Sequence, residues 1–327
     1  MRASRRILLA PLLLPLLALV PAPPGAPKDE KVSRYTTPSR FSSPGAIVAG
    51  PDDALWFLEP GTNSIGRIST SGAMTEYAIP TGGSAPSSIA AGPDGNIWFA
   101  ESAAGVIGRV KPDEGVFEYP LPAGSSPISV AAGPDGNVWY TSVTGRVGRL
   151  SPDGLVLEFP PPTFGALAYG IASGDNNLWF TMPDANKIGK MNTGGVALDY
   201  TVPTSNGHPT SIVAGPDHHY WFIESPVPAP FAPEPRIGRI STLGTFVDFT
   251  VDLKNGLPGS IAVGPDGNIW FTSPQEGLIR SITTSGKLTK VRIPAEAPNG
   301  IALGPDGAVW FTEQPNGIGR IDVPKRR

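Results

Sequence analysis

All seven tryptophans of this chain, Trp56, Trp98, Trp139, Trp179, Trp221, Trp270 and Trp310, sit in versions of one phrase, spaced 42, 41, 40, 42, 49 and 40 residues apart. A repeat of that length holding several short strands cannot cover both faces of its own sheet, so neighbouring units must stack on one another. The unit "SSIAAGPDGNIWFAESAAGVIGRVKPDEGVFEYPLP" divides into strand a "SSIAA", strand b "NIWFAE", strand c "VIGRV" and strand d "VFEYPL", each short and rich in branched or aromatic residues. Seven such units predict an all-β chain folded as a seven-bladed β-propeller of four-stranded blades. The 40 Gly and 39 Pro among 327 residues, with 16% charged residues, fit a chain made of strands and turns.

Between strands a and b, Pro-Asp-Gly is turn chemistry: Pro presets φ and Gly accepts positive φ at little cost. Where that Gly is missing, its place is taken by Asp53, Asn176 and His218, side chains that tolerate the left-handed region. Residues 34 to 38 read as a strand d that precedes any a, b or c, and the seventh unit ends after strand c. The N-terminal strand is therefore expected to complete the seventh blade and close the ring.

The ends are expected to lie outside the fold. Arg2, Arg5 and Arg6 precede the apolar run "ILLAPLLLPLLALV", so residues 1–26 read as a signal peptide, 27–33 as a disordered leader, 34–323 as the propeller and 324–327 as a basic tail. The apolar run is short for a bilayer span. An exported, periplasmic or extracellular protein without a membrane anchor is the expectation. Loss of three arginines from 25 basic residues, against 28 acidic ones, leaves a net charge of about −6. Such a surface gives nucleic acid no electrostatic footing. The absence of cysteine excludes disulfides, thiolate metal sites and a cysteine nucleophile.

Repeat-wide residues read as scaffold, so function is sought where the repeats disagree. Propeller sites form where strand a begins and where b passes to c. At the first position the units place Ser87, Ser129, Tyr169, His208, Thr210, Ser260 and Asn299 near the channel mouth. Tyr169, His208, Asn299 and Phe231 are the ligand-binding candidates. Phe231 lies in "ESPVPAPFAPEPRIG", a proline-rich lengthening of the fifth b–c loop that reads as a wall over the mouth or as a tolerated surface insertion. His208 reads as a ligand contact or as a merely exposed imidazole, and His218 and His219 as turn residues on the opposite rim.

Strand b ends in Glu59, Glu101, Ser142, Met182, Glu224, Ser273 and Glu313. Convergent carboxylates would suit a hard cation, Mg²⁺ or Ca²⁺, with Glu313, Glu59 and Glu101 on adjacent blades as candidate ligands. The alternative is pairing within each blade, with the Arg of "IGR" (Arg67, Arg109, Arg239 or Arg320) or with backbone amides of the b–c loop.

The phrases "NIWF", "IGRI" and "EYPLP", recurring over residues 34 to 321, resemble the streptogramin B lyases, also called virginiamycin B lyases. The resemblance implies a seven-bladed fold. It also implies elimination across the ester bond of a cyclic depsipeptide by a histidine base with Mg²⁺. The family's two histidines fall on Gly259 and Asn299, and its two carboxylates on Ala297 and Gln314. None of these four is a base. A monomeric propeller binding a small molecule, peptide or glycan at its mouth is therefore expected, with a divergent lyase using His208 or Glu296, or a protein-interaction scaffold, as alternatives.

Overall fold

The computed structural model of the protein describes residues 31–226, 234–253 and 256–323, with backbone alone at 290–292. These form seven four-stranded antiparallel sheets. In the second blade the strands are Pro86–Ala91, Ile97–Glu101, Val106–Lys111 and Gly115–Pro120, within a residue of the boundaries expected from sequence. The innermost strands touch in cyclic order from the first blade to the seventh and back to the first. Strand Val32–Thr36 pairs antiparallel with Gly317–Ile321, in one sheet with Val309–Glu313 and Pro298–Leu303. It begins two residues inside the stretch assigned to the leader. The expected signal peptide, the basic tail and Phe231 lie outside the described residues.

Each indole is fully buried and packs against the following blade. Trp56 packs with Ile89, Ile97 and Phe99, and Trp310 with Ile47, Leu55 and Phe57 across the join of the two chain ends. Burial of a side chain this large contributes roughly 4–6 kcal/mol gross.

The indole is also held by its polar edge. In every blade the Trp Nε1 donates to Oδ1 of the Asp four residues earlier, from Asp52 to Asp306, at 2.8 to 3.0 Å. In six blades a cation from strand c, Arg67, Arg109, Arg149, Lys190, Arg239 or Arg320, lies over the same indole and pairs with the same Asp. The arginines of "IGR" thus belong to the a–b turns, not to the glutamates of strand b; the expected Glu–Arg pairing is overturned.

The turns behave as the sequence predicts, with Asp53, Asn176 and His218 at φ of 55°, 59° and 59°. The Gly of "IGR" has a different cause. A Cβ on Gly108 would stand 2.1 Å from the Phe99 ring, which covers that glycine in the adjacent strand.

Candidate functional site

Because the innermost strands run from the mouth toward the Asp-Gly turns, equivalent residues of the seven blades form rings at set depths. The deepest ring of the central cavity is Ile47, Ile89, Val130, Ile171, Ile212, Ile261 and Ile301. Each keeps only 4 to 9% exposure, because these branched side chains pack into the cores between blades. One step up stand Ala46, Ser88, Ser129, Gly170, Ser211, Ser260 and Gly300. The mouth adds Gly45, Ser87, Ile128, Tyr169, Gly259 and Asn299. The cavity, open at the mouth, has a volume of about 460 Å³, within the range that holds a small molecule.

Much of the hydroxyl wall is committed to the scaffold. Ser87 donates to the Ile128 carbonyl at 2.9 Å, Ser88 and Ser129 lie 3.3 Å apart, and Ser211 reaches the Gly259 carbonyl at 3.4 Å. Just outside, the buried hydroxyls of Thr141, Thr181, Thr272 and Thr312 donate to backbone carbonyls at the start of the next blade's inner strand, at 2.5 to 3.0 Å. This belt sets the blades' relative heights at the mouth. The side chains of Tyr169, Ser260 and Asn299 carry none of these bonds among the described residues. Tyr169 is 44% exposed.

Of the sequence-derived mouth residues, Ser87, Ser129, Tyr169, Ser260 and Asn299 line the cavity, whereas His208 and Thr210 do not. His208 adopts φ of 50°, and its Nε2 lies 3.7 Å from the Asp184 carboxylate on the rim. His219 Nδ1 lies 2.7 Å from the Asp217 carbonyl oxygen at the opposite end.

The four positions matched to the family's site fall into two pairs. Gly259 and Asn299 line the cavity; Gln314 and Ala297 lie beside it on the seventh blade, where Gln314 Nε2 donates to the Pro44 carbonyl at 3.0 Å. Space at Gly259 is closed: a Cβ there would meet Thr272 Oγ1 at 2.8 Å and Pro274 Cγ at 2.9 Å.

The glutamates ending strand b do not converge. Each lies on the same sheet face as the aromatic two residues earlier, which packs on the preceding blade. The face puts Glu59, Glu101, Glu224 and Glu313 into four separate seams, out of the cavity lining. Among the described residues no three His, Cys, Asp or Glu side chains gather as metal ligands. Glu59, Glu101 and Glu313 therefore do not fit one Mg²⁺ or Ca²⁺. Glu313 is ion-paired with Arg34 at 3.2 Å and accepts the Glu296 amide at 2.9 Å. Glu59, Glu101 and Glu224 are fully buried, with no hydrogen-bond partner on either oxygen among the described residues. Burial first, and then the Glu76 carboxylate, push Glu59 up to about 7; burial and Glu118 do the same to Glu101. Burial and Asp248 push Glu224 up to about 8.

The seams also hold a contact that the sequence reading missed. The acidic residue of strand d accepts hydrogen bonds from a Ser or Thr in the loop arriving from the preceding blade. Glu76 takes Ser39 N and Oγ at 2.9 and 2.6 Å, Glu118 takes Thr81 N and Oγ1 at 2.8 Å each, and Asp199 takes Thr163 Oγ1 at 2.5 Å. Its signal was present as "EY", "EF", "DY" or "DF" in five consecutive repeats.

The profile of the virginiamycin B lyase family matches residues 26–177 and 171–326. Virginiamycin B lyase from Staphylococcus aureus superposes with a TM-score of 0.82 at 29% identity, over 90% of this chain and 100% of that one. A streptogramin B lyase gives 0.82 at 30% identity, over 90% and 98%. A catalytically inactive variant of the staphylococcal enzyme, solved with quinupristin, gives 0.82 at 29% identity over 90% and 100%. With the family profile matched over nearly the whole chain and the same ring of blades in these structures, the chain belongs to the virginiamycin B lyase family.

Proposed function

We propose that this protein is an exported, monomeric binding propeller that takes an uncharged ligand, a small molecule or the neutral end of a peptide or glycan, into its central cavity without the lyase reaction of its relatives. The observation behind this reading is the cavity lining: among the described residues it holds no carboxylate, imidazole, ammonium or guanidinium. A charged ligand placed there would lose its hydration without gaining a counter-charge, which costs several kcal/mol. A neutral ligand would bond to Tyr169, Ser260 and Asn299, whose side chains are not used by the scaffold. Abstraction of a proton beside a carbonyl requires a base within about 3 Å of it. Gly259 and Asn299 supply none.

The test is incubation of the mature protein with a streptogramin B antibiotic and Mg²⁺, with and without EDTA, followed by mass spectrometry for the linear product and by ligand-observed NMR for binding. Binding without ring opening, weakened about 2- to 13-fold by Asn299→Ala through loss of one hydrogen bond, is the expected result. Chelator-sensitive ring opening would replace this reading with a divergent lyase, and would direct the search for its base to His208 and Glu296.

A further inference from the structure

Strand d carries an acidic residue in the first five blades, and in three of these a second, buried carboxylate lies near it without a full counter-charge. In the seventh blade Glu313 faces Arg34. In the third, Ser142 replaces the glutamate, and Glu158 of strand d accepts the Tyr140 hydroxyl at 2.9 Å and Ser125 Oγ at 2.5 Å. In the fourth, Met182 replaces it, and Asp199 is paired with Lys187 at 3.0 Å. In the first, second and fifth blades a fully buried glutamate stands beside a second carboxylate: Glu59 by Glu76, Glu101 by Glu118, Glu224 by Asp248.

The partners' own bonds sharpen the contrast. Glu76 and Glu118 already accept from the arriving loop, as an ionised carboxylate does, whereas Glu59 and Glu101 have among the described residues no well-formed hydrogen bond and only the weak influence of the Ser42 and Ser84 hydroxyls. In the fifth blade both Glu224 oxygens and Asp248 Oδ1 are buried without a partner. Glu224 and Asp248, which lie within hydrogen-bond reach, can be satisfied together by one proton between them, while Glu59 and Glu101, buried near a like charge, are neutralised by a proton of their own. Among the described residues no cation offsets the repulsion at Glu59 or Glu101, where the nearby hydroxyls of Ser42 and Ser84 temper it only in part; at Glu224, Arg236 does so in part, aided by Thr204.

We propose that Glu59, Glu101 and Glu224 are protonated in the native ring, Glu224 as an acid–carboxylate pair with Asp248 and Glu59 and Glu101 as buried neutral acids near Glu76 and Glu118, so that three of the seven seams are closed with protons in place. The upward displacement of all three glutamates agrees with this geometry. The sign follows from linkage: the folded chain holds protons that the unfolded chain releases above about 4.5. The seams' contribution is therefore complete below that pH and is lost as pH rises through 7 to 8. The effect reaches the mouth, because Glu101 pairs across strands with Pro86, a cavity-lining residue, and Glu59 precedes Pro60, another. Mild alkali would loosen the wall at the first, second and fifth blades while leaving the seams at Glu313, Ser142 and Met182 unchanged.

The experiment is infrared spectroscopy of the folded full chain from pH 6 to pH 10, reading the carbonyl stretch of protonated carboxyl groups, with circular dichroism to verify that the fold persists. The wild type should show the band at pH 6 and lose it with a midpoint near 7 to 8. Glu59→Gln, Glu101→Gln and Glu224→Gln should each remove about a third of its amplitude, and the triple variant all of it. Absence of the band in folded wild type at pH 6, or its persistence in the triple variant, would overturn the proposal. Should a variant fail to fold, proton release on urea unfolding of the wild type at pH 6 decides: about three protons per chain support the proposal, and none refutes it.

Discussion

Replacement of Asp217 by Ala tests the repeated clamp that fixes the tryptophans, and the structure sets the size of the effect. The change leaves Trp221 Nε1, which donates to Asp217 at 2.9 Å from a fully buried indole, without an acceptor. An unsatisfied buried donor costs about 1–3 kcal/mol. It also removes the 2.9 Å ion pair to Arg239, whose side chains are about a fifth exposed, worth at most about 1 kcal/mol after screening. Arg239 keeps its bond to the Thr284 carbonyl and its place over the indole. A loss of about 1–4 kcal/mol follows, or roughly 2–7 °C in Tm for a chain of this size. Asp217→Asn retains the acceptor and loses only the charge, so it should cost about 1 kcal/mol. The sixth blade is the internal control: Ser281 stands opposite Trp270, and Asp266 has no ion pair among the described residues. Asp266→Asn should therefore be nearly silent while Asp266→Ala still loses the indole bond. Thermal melts of the four variants decide. Equal losses for Asn and Ala at position 217 would refute the claim that the indole bond outweighs the charge.

Gly108→Ala should lower stability by about 1–3 kcal/mol by driving a methyl into the Phe99 ring, while Gly82→Ala, where nothing lies within 4 Å, should stay within about 0.5 kcal/mol in the same melts. On the acid side, burial raises Asp52, Asp94, Asp135, Asp175, Asp217 and Asp306, but bonds from Trp and other donors in the clamp more than offset it and hold them below 3.8. Their contribution is present above that value and is lost as pH falls through their lowered folded values, so Tm plotted against pH should fall steeply below about pH 4. Gly259→His should yield no lyase turnover by mass spectrometry, since the ring of Pro274 and Thr272 Oγ1 occupy the space its Cβ needs. Turnover from that single variant would show that the wall yields more easily than its packing implies.

The scaffold was legible in the sequence wherever one local rule acts in every repeat. Trp spacing gave the blade count, strand alternation gave the second blade to within a residue, and Asp53, Asn176 and His218 marked positive φ because only a few side chains tolerate it. Reading the partners of charged residues went wrong for a physical reason. Arg67 and Glu59 both lie near Trp56 along the chain, but Arg67 sits opposite Trp56 in the ladder, on the face toward the second blade, while Glu59 shares the opposite face with Phe57. Strand alternation alone separates them. The seam bonds from Ser39 to Glu76 and from Thr81 to Glu118 join residues 37 apart, and only the stacking of blades brings them together.

The same separation explains how one ring can host different chemistry at its mouth. The indole clamps lie toward the Asp-Gly turns, and the carboxyl seams and threonine belt lie between blades, so the ring's integrity asks little of the first residues of each inner strand. At those residues the chain needs only backbone carbonyls to receive Thr141, Thr181, Thr272 and Thr312, and any residue supplies a carbonyl. Asn299 illustrates the freedom: its carbonyl holds Thr272 while its exposed side chain is left for a ligand. Gly259 illustrates the constraint, since Pro274 of the following b–c loop fills the space beside it, and a side chain can return there only if that loop moves as well. A change of function in this fold therefore comes from two linked places, the first residue of strand a and the b–c loop beside it, while the other strands remain as they are.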